Sequence, residues 1–136
     1  MDFTFTQEMP TPEKIWALYQ TTGWNEEYDL TPAEVHRALR SSWYLIAVYH
    51  DSQLVGFGRL VSDGVLHAML YELIVAPAFQ NRGVGSKILE RLIARCETHR
   101  IRDIQLFCAR GKRQFYEKRG FVARPEEAPG MQYKPY

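Results

Sequence analysis

Two cysteines in 136 residues are too few for the disulfide framework of a small secreted domain; Cys96 and Cys108 both fall at apolar positions of regular elements, so they read as reduced core residues. No His/Cys cluster has the spacing of metal ligands, and no metal is expected. Charge of one sign is scarce as well. The formal net charge of +1 gives no general attraction to nucleic acid or to a membrane surface. Long apolar runs are missing, none approaching the roughly 20 residues of a transmembrane helix, and the first residues lack the basic and apolar regions of a secretory leader. A cytoplasmic protein is expected. With no internal repeat, low-complexity tract or linker, the chain is expected to form one domain over residues 1–136, burying about two thirds of its unfolded surface.

What is present is a regular alternation of strand and helix signals. Phe3 to Gln7 alternates like a first strand. Thr11-Pro12 starts a helix with a cap and a proline at its first position, and Ile15, Leu18 and Tyr19 form its apolar stripe. Thr31-Pro32-Ala33-Glu34 is a capping box that opens another helix, with Val35 and Leu39 on one face. Between the two lies a polar loop, residues 21–28, that carries Trp24 and Tyr28. Strands over Tyr44–Tyr49 and Gln53–Ser62 join at Asp51-Ser52 as a hairpin, with Gly56 and Gly58 marking a bulge or a close neighbour in the second. Ser62-Asp63-Gly64 turns into a strand from Leu66 to Val75.

Gln80-Asn81-Arg82-Gly83-Val84-Gly85 follows that strand and opens a helical pattern expected over Val84 to His99, with Ile88, Leu89, Leu92, Ile93 and Cys96 on its apolar face. A turn entering a helix leaves backbone N–H groups without partners, and with the helix dipole they suit anionic oxygens. The glycines allow close approach, and Arg82 adds a forked cationic donor. The spacing is not that of a P-loop, since Gly85-Ser86-Lys87 has the wrong order, nor of a dinucleotide fingerprint, since position 88 is Ile. Ile104 to Cys108 reads as a short buried strand parallel to the one before the helix. A short helix starts near Lys112, and a last strand is expected near Met131 to Tyr136.

Gln80-x-x-Gly83-x-Gly85 after Glu72-Leu73-Ile74-Val75-Ala76-Pro77, followed by Phe115-Tyr116-Glu117-Lys118-Arg119-Gly120-Phe121, resembles the GNAT superfamily of acetyl-CoA-dependent N-acetyltransferases. The likeness covers residues 44–124 well and the remainder loosely. It implies an α/β fold of mixed sandwich type, a mostly antiparallel sheet flanked by helices, whose parallel fourth and fifth strands splay to admit the pantetheine arm. It also implies acetyl-CoA as co-substrate, held by Leu73, Ile74, Val75, Gln80, Asn81, Arg82, Gly83, Val84, Gly85, Ser86 and Phe115. Tyr116 matches the usual general acid; its competing reading is a core tyrosine with a bonded hydroxyl. Many relatives carry Asn seven or eight residues before this tyrosine, where this chain has Cys108 and Ala109, which weakens the implied contacts to pantetheine and ribose. Relatives often pair as dimers, and the carboxy-terminal strand is the candidate shared edge.

Acetyl transfer sets its own requirements. An alkyl amine of pKa about 10.4 needs roughly 4–5 kcal/mol to expose its lone pair at pH 7, so a base or a water chain is required. Glu72, a carboxylate in an apolar strand, is the first candidate base, His67 the second and an indirect water route the third. Strand alternation alone places His67, Met69, Tyr71, Leu73 and Val75 on one face and Ala68, Leu70, Glu72 and Ile74 on the other, unless a bulge shifts the phase. A backbone N–H near Val75 is the expected oxyanion donor. Trp24 and Tyr28 are candidates for an aromatic wall against the amine, with a structural staple as the rival role for Trp24. The expected activity is transfer of acetyl to a primary amine, of a small molecule or a peptide, by direct attack through a tetrahedral intermediate. A non-catalytic acyl-CoA sensor is the alternative. A nucleic-acid factor using Arg82, Arg91, Arg95, Arg100 and Arg102 is disfavoured by the near-neutral charge.

Overall fold

Thr11 and Thr31 act as the sequence pattern requires. The Thr11 hydroxyl accepts from Lys14 N at 3.3 Å to cap α1 (Pro12–Gln20). Thr31 and Glu34 exchange bonds of 2.9 and 3.2 Å in a complete capping box that opens α3 (Pro32–Arg40). The computed structural model describes residues 1–134. It divides into two compact units, Met1–Gln105 and Leu106–Tyr136.

The sheet has five strands in the order β1 (Thr4–Thr6), β2 (Tyr44–His50), β3 (Gln53–Ser62), β4 (His67–Val75) and β5 (Asp103–Leu106). The first four run antiparallel, and β5 is parallel to β4. This is the mixed α/β architecture expected from the strand and helix order. Helix α4 (Val84–Thr98) links β4 to β5 and buries Val84, Ile88, Leu89, Leu92 and Cys96. It lies on the face of β3 toward which Gly56 and Gly58 point: a Cβ on Gly58 would meet Ile88 Cγ2 at 2.6 Å, and one on Gly56 would meet Val84 Cγ1 at 3.1 Å. The next residue, Arg59, points the other way and reaches Ala38 O of α3 at 3.3 Å. Alternation along β3 therefore puts α4 on one face of the sheet and the α1–α3 pair on the other.

One register shift changes the reading of β4. Ser62 to Arg59 pair with Ala68 to Tyr71, whereas Phe57 and Gly56 pair with Ile74 and Val75, so Glu72 and Leu73 together oppose Gly58. This is a β-bulge, with Glu72 in the left-handed region at φ +47. It shifts the phase that plain alternation gives, the exception the sequence reading allowed for in this strand. Tyr71, Glu72 and Ile74 now share the α1–α3 face, while Leu73, whose Cδ1 would meet a Gly58 Cβ at 3.3 Å, and Val75 turn toward α4. The extra residue advances the phase by one, as a period of two requires.

Other boundaries differ as well. The loop between α1 and α3 contains a one-turn helix, α2 (Asn25–Tyr28). Strand β5 is shorter than expected and half-buried throughout, because it stands last in the sheet order and alternates polar with apolar residues. Cys96 is buried as expected, but Cys108, which falls after β5 ends at Leu106, is exposed. The expected strand near Met131 to Tyr136 does not form over residues 131–134, where Met131 and Tyr133 are each 86% exposed; residues 135 and 136 lie outside the described residues. In the second unit α5 (Arg113–Glu117) is the short helix expected after Lys112.

The close approach of α4 to β3 gives a stability test. Gly58→Val forces atoms into space held by Ile88 and Leu92 and is expected to destabilise by about 1–3 kcal/mol, read as a lower urea midpoint with unchanged slope. An unchanged midpoint would show that α4 sits farther from β3 than these contacts place it.

Candidate functional site

The bulge on β4 is the centre of the site. Glu72 Oε1 accepts from Arg59 Nε at 2.5 Å, and the two side chains are only 21% and 14% exposed. Arg59 also lies over the Tyr71 ring at 5.6 Å and donates to Ala38 O. One guanidinium thus ties β3, the bulge of β4 and the end of α3 together, a use of its forked geometry that a lysine lacks. Left-handed backbone at a non-glycine residue costs about 1–2 kcal/mol and persists only where surrounding bonds hold it. Tyr19, near the end of α1, which packs on β3 and β4, is within electrostatic reach of the same carboxylate. Burial, then the charges of Glu72 and Tyr28, push its phenol above the ordinary value.

The aromatic loop is pinned to this corner. The Thr21 and Thr22 hydroxyls donate to Leu18 O and Tyr19 O at 2.7 and 2.8 Å, and Thr22 Oγ1 accepts from Trp24 N at 3.1 Å. Asn25 closes the far side, its side chain exchanging bonds of 3.0 and 2.9 Å with the backbone of Leu30. Trp24 packs edge-on against Tyr19 with ring centroids 6.2 Å apart, so it does staple the loop to α1, and it is half-buried there. Tyr28 is 48% exposed.

At the other end of β4, Gln80 Nε2 donates to Val75 O at 3.0 Å and locks the turn onto the end of the strand. Asn81 at φ +63 and Gly83 at φ +81 reverse the chain, and Gly83 caps α4, its carbonyl accepting from Lys87 N at 3.1 Å. A Cβ on Gly83 would meet no protein atom within 4 Å, so here glycine serves the backbone angle and leaves the approach to the helix end open. Val84 is buried, Asn81, Arg82 and Gly83 are exposed, and Gly85 and Ser86 follow half-buried in the first turn of the helix. The residues expected around an anionic donor, from Leu73 through Ser86, are thus contiguous in this unit, and their form suits a pyrophosphate.

Phe115 and Tyr116 belong to the second unit and are both half-buried, with Tyr116 edge-on to Phe115 at 5.0 Å and to Phe121 at 5.9 Å. Burial, and secondarily the charge of Cys108, push the Tyr116 phenol up to about 12. His67 stands apart from Glu72. Its Nδ1 is 3.0 Å from Asp103 Oδ2 at the start of β4 and β5, its side chain is 63% exposed, and it borders a shallow cavity of about 280 Å³. Five residues of strand separate it from Glu72, roughly 16 Å at 3.3 Å per residue.

Two residues of the corner were not singled out from sequence. Arg59 is the one charged residue between Leu54 and Val61, in a segment otherwise apolar or glycine, and that isolation was its signal. Tyr19 carries a polar tip on an otherwise apolar stripe and stands two residues before the threonine pair that opens the loop.

A profile of the family described as "Acetyltransferase (GNAT) domain" matches residues 10–131. An uncharacterized N-acetyltransferase of Pyropia yezoensis is 32% identical over 106 residues, covering 75% of this chain and 61% of the relative. A chloroplastic GCN5-related N-acetyltransferase of Arabidopsis thaliana is 33% identical over 101 residues, covering 73% of this chain and 51% of the relative. The matched region thus spans about half to three fifths of these curated relatives. In fold the chain is similar to the crystal structure of a Staphylococcus aureus protein described as a probable acetyltransferase, with TM-score 0.84, 21% identity and coverage of 98% of this chain and 100% of that one. Among the described residues no helix is long and apolar enough to cross a membrane.

The clasp at the bulge generates a test independent of activity. Arg59→Met leaves the partly buried Glu72 without its partner and is expected to cost about 1–3 kcal/mol, read as a fall in Tm. Arg59→Lys should recover less than half of that loss, because a point charge cannot serve Glu72 and Ala38 O together. Full recovery by lysine would reduce the clasp to simple charge pairing.

Proposed function

Because the chain belongs to the GNAT acetyltransferase family, we propose that it is an acetyl-CoA-dependent N-acetyltransferase that moves an acetyl group to a primary amine by direct attack. The observation that carries this reading is the bulge. It turns Glu72 toward the α1–α3 face, beside Tyr19 and Tyr71, and turns Leu73 and Val75 toward the face of α4. Acceptor-facing and donor-facing groups are thereby sorted onto opposite sides of one strand. The matching profile runs across both compact units, which supports reading residues 1–136 as one N-acetyltransferase domain.

The residues present suit an acyl-CoA. The turn from Asn81 to Gly83 and the first turn of α4 offer backbone N–H groups to the pyrophosphate, with Arg82 as the added cation. In this reading Gln80 acts indirectly, since its side-chain amide is engaged by Val75 O. The thioester supplies the activated acyl group. Ala76 N is already bonded to Val55 O, so the oxyanion donor is sought nearer the bulge, where the extra residue interrupts the ladder. Glu72 is the proposed proton acceptor, directly or through water, and His67 is too distant along the strand for direct contact with an amine placed there. Trp24 and Tyr28 are the proposed wall for the acceptor.

Magnitudes decide what Tyr116 contributes. A phenol raised to about 12 facing a thiolate of parent pKa about 8.5 would transfer its proton uphill by some 3–4 units, about 5 kcal/mol. Its proposed role is therefore hydrogen-bond donation to the departing sulfur as charge develops. That interaction is worth about 1.5–3 kcal/mol, or roughly 10–100-fold in rate.

Thiol release from acetyl-CoA with a panel of primary amines tests the whole reading. Binding of acetyl-CoA with no release above background for any amine favours the sensor module instead. Within the enzyme reading, Tyr116→Phe is expected to lower kcat about 10–100-fold with CoA affinity unchanged, and equal kcat would remove Tyr116 from the mechanism. The sign of its pKa shift adds a constraint: a raised pKa keeps the phenol protonated as pH rises, so no descending limb of kcat below pH 10 should belong to Tyr116. A wild-type limb in that range that vanishes in the Phe variant would contradict this.

A further inference from the structure

We propose that Tyr19 is an acceptor-binding residue, whose hydroxyl joins Glu72 in holding the nitrogen of a primary amine carried on an apolar arm. The proposal rests on the acetyltransferase reading above and deepens it by adding a specificity-determining residue and the class of acceptor it fits.

Tyr19 is 5% exposed, and among the described residues its hydroxyl makes no hydrogen bond. Buried tyrosines ordinarily find such a partner. Among the described residues Arg95 Nε is the one fully buried side-chain nitrogen or oxygen without a partner, so the Tyr19 hydroxyl is not sealed in the core and its residual exposure includes the oxygen. The ring is buried, and the hydroxyl, though largely desolvated, is not fully enclosed. Helix α1 packs against both β3 and β4, which brings that tip beside the bulge, and Glu72 and Tyr28 are the charged and phenolic groups close enough to act on it. Trp24 lies edge-on to its ring on the remaining side.

The chemistry of this corner selects its occupant. Glu72 is already paired through Oε1 with Arg59, so the carboxylate and guanidinium together carry no net charge. An unpaired carboxylate would bind the ammonium form tightly and hold the proton on the nitrogen that must attack. A compensated carboxylate beside a neutral phenol supplies direction without that penalty: Tyr19 Oη accepts an N–H while its own proton remains free to donate. The rings of Trp24 and Tyr28 offer apolar surface for the arm. The loop that carries Trp24 is held by the bonds of Thr22 and Asn25, so the seat exists before the acceptor arrives.

The test uses the full chain, acetyl-CoA and n-butylamine. Tyr19→Phe removes one oxygen from a packed ring; it is expected to raise KM for n-butylamine about 10–100-fold, with kcat within about threefold and CoA affinity unchanged. An unchanged KM in a variant of wild-type Tm overturns the proposal and leaves Tyr19 as a core residue. A second measurement is independent of turnover. With 3-fluorotyrosine incorporated, the Tyr19 fluorine resonance, assigned by its loss in Tyr19→Phe, should shift on adding n-butylamine and remain in place with n-butanol. No shift with the amine, or equal shifts with both, overturns the proposal. Absence of thiol release across the amine panel would sink the transfer reading alone, and the fluorine titration would still decide whether Tyr19 binds amines.

Discussion

The ion pair between Arg59 and Glu72 is the interaction on which the site depends. A bulge needs something to hold its extra residue, and here the residue is a glutamate at φ +47 whose carboxylate is tied to the opposing strand. Without that tie the unstrained alternative is continuous alternation along β4, which would send Glu72 to the α4 face and Leu73 and Val75 to the side of Tyr19 and Tyr71. The same strand would then present its apolar surface where the amine is proposed to react. Because the side-chain period is two, nothing between these two arrangements is available.

The opposite face has its own constraint, the nearness of α4. Gly56 and Gly58 let the helix lie against β3 with Val84, Ile88 and Leu92 filling the space their side chains would take. That depth sets where the amino end of α4 emerges after β4, and Gln80 fixes it by bonding back to Val75 O. The two constraints meet at Gly58, which opposes the bulge on one strand while admitting Ile88 and Leu92 on its own. Packing of the helix and geometry of the proposed reaction centre are thus coupled through one residue without a side chain.

Much of this was legible in the sequence because it is local. The threonine caps, the paired prolines, the hairpin at Asp51-Ser52, and the glycine turn before an amphipathic helix each announce themselves within a few residues. The bulge did not, since His67 to Val75 alternates without a visible break and a left-handed glutamate has no compositional signal. The residues that define it lie on the neighbouring strand, Gly58 opposite the extra residue and Arg59 holding Glu72, and it becomes readable only once β3 and β4 are in register. Cys108 misled for a similar reason. Apolar company in sequence marks burial only if a neighbour covers the residue, and β5 ends at Leu106.

The acceptor side was the least legible, because a loop's order comes from bonds that sequence spacing does not reveal. Residues 21–28 read as a polar loop, yet two threonine hydroxyls cap the end of α1, one of them orients Trp24, and Asn25 bonds both backbone groups of Leu30. Such a loop loses little conformational freedom when a ligand arrives, so its discrimination should come from shape and hydrogen bonding more than from closure around the acceptor. Near-neutral net charge points the same way, since long-range steering then contributes little to which ligand arrives. On the proposed reading, selection is left to the few ångströms around Tyr19, Trp24, Tyr28 and Glu72, where a compensated carboxylate and three aromatic rings would favour a nitrogen that can give up its proton on an arm that need not be charged.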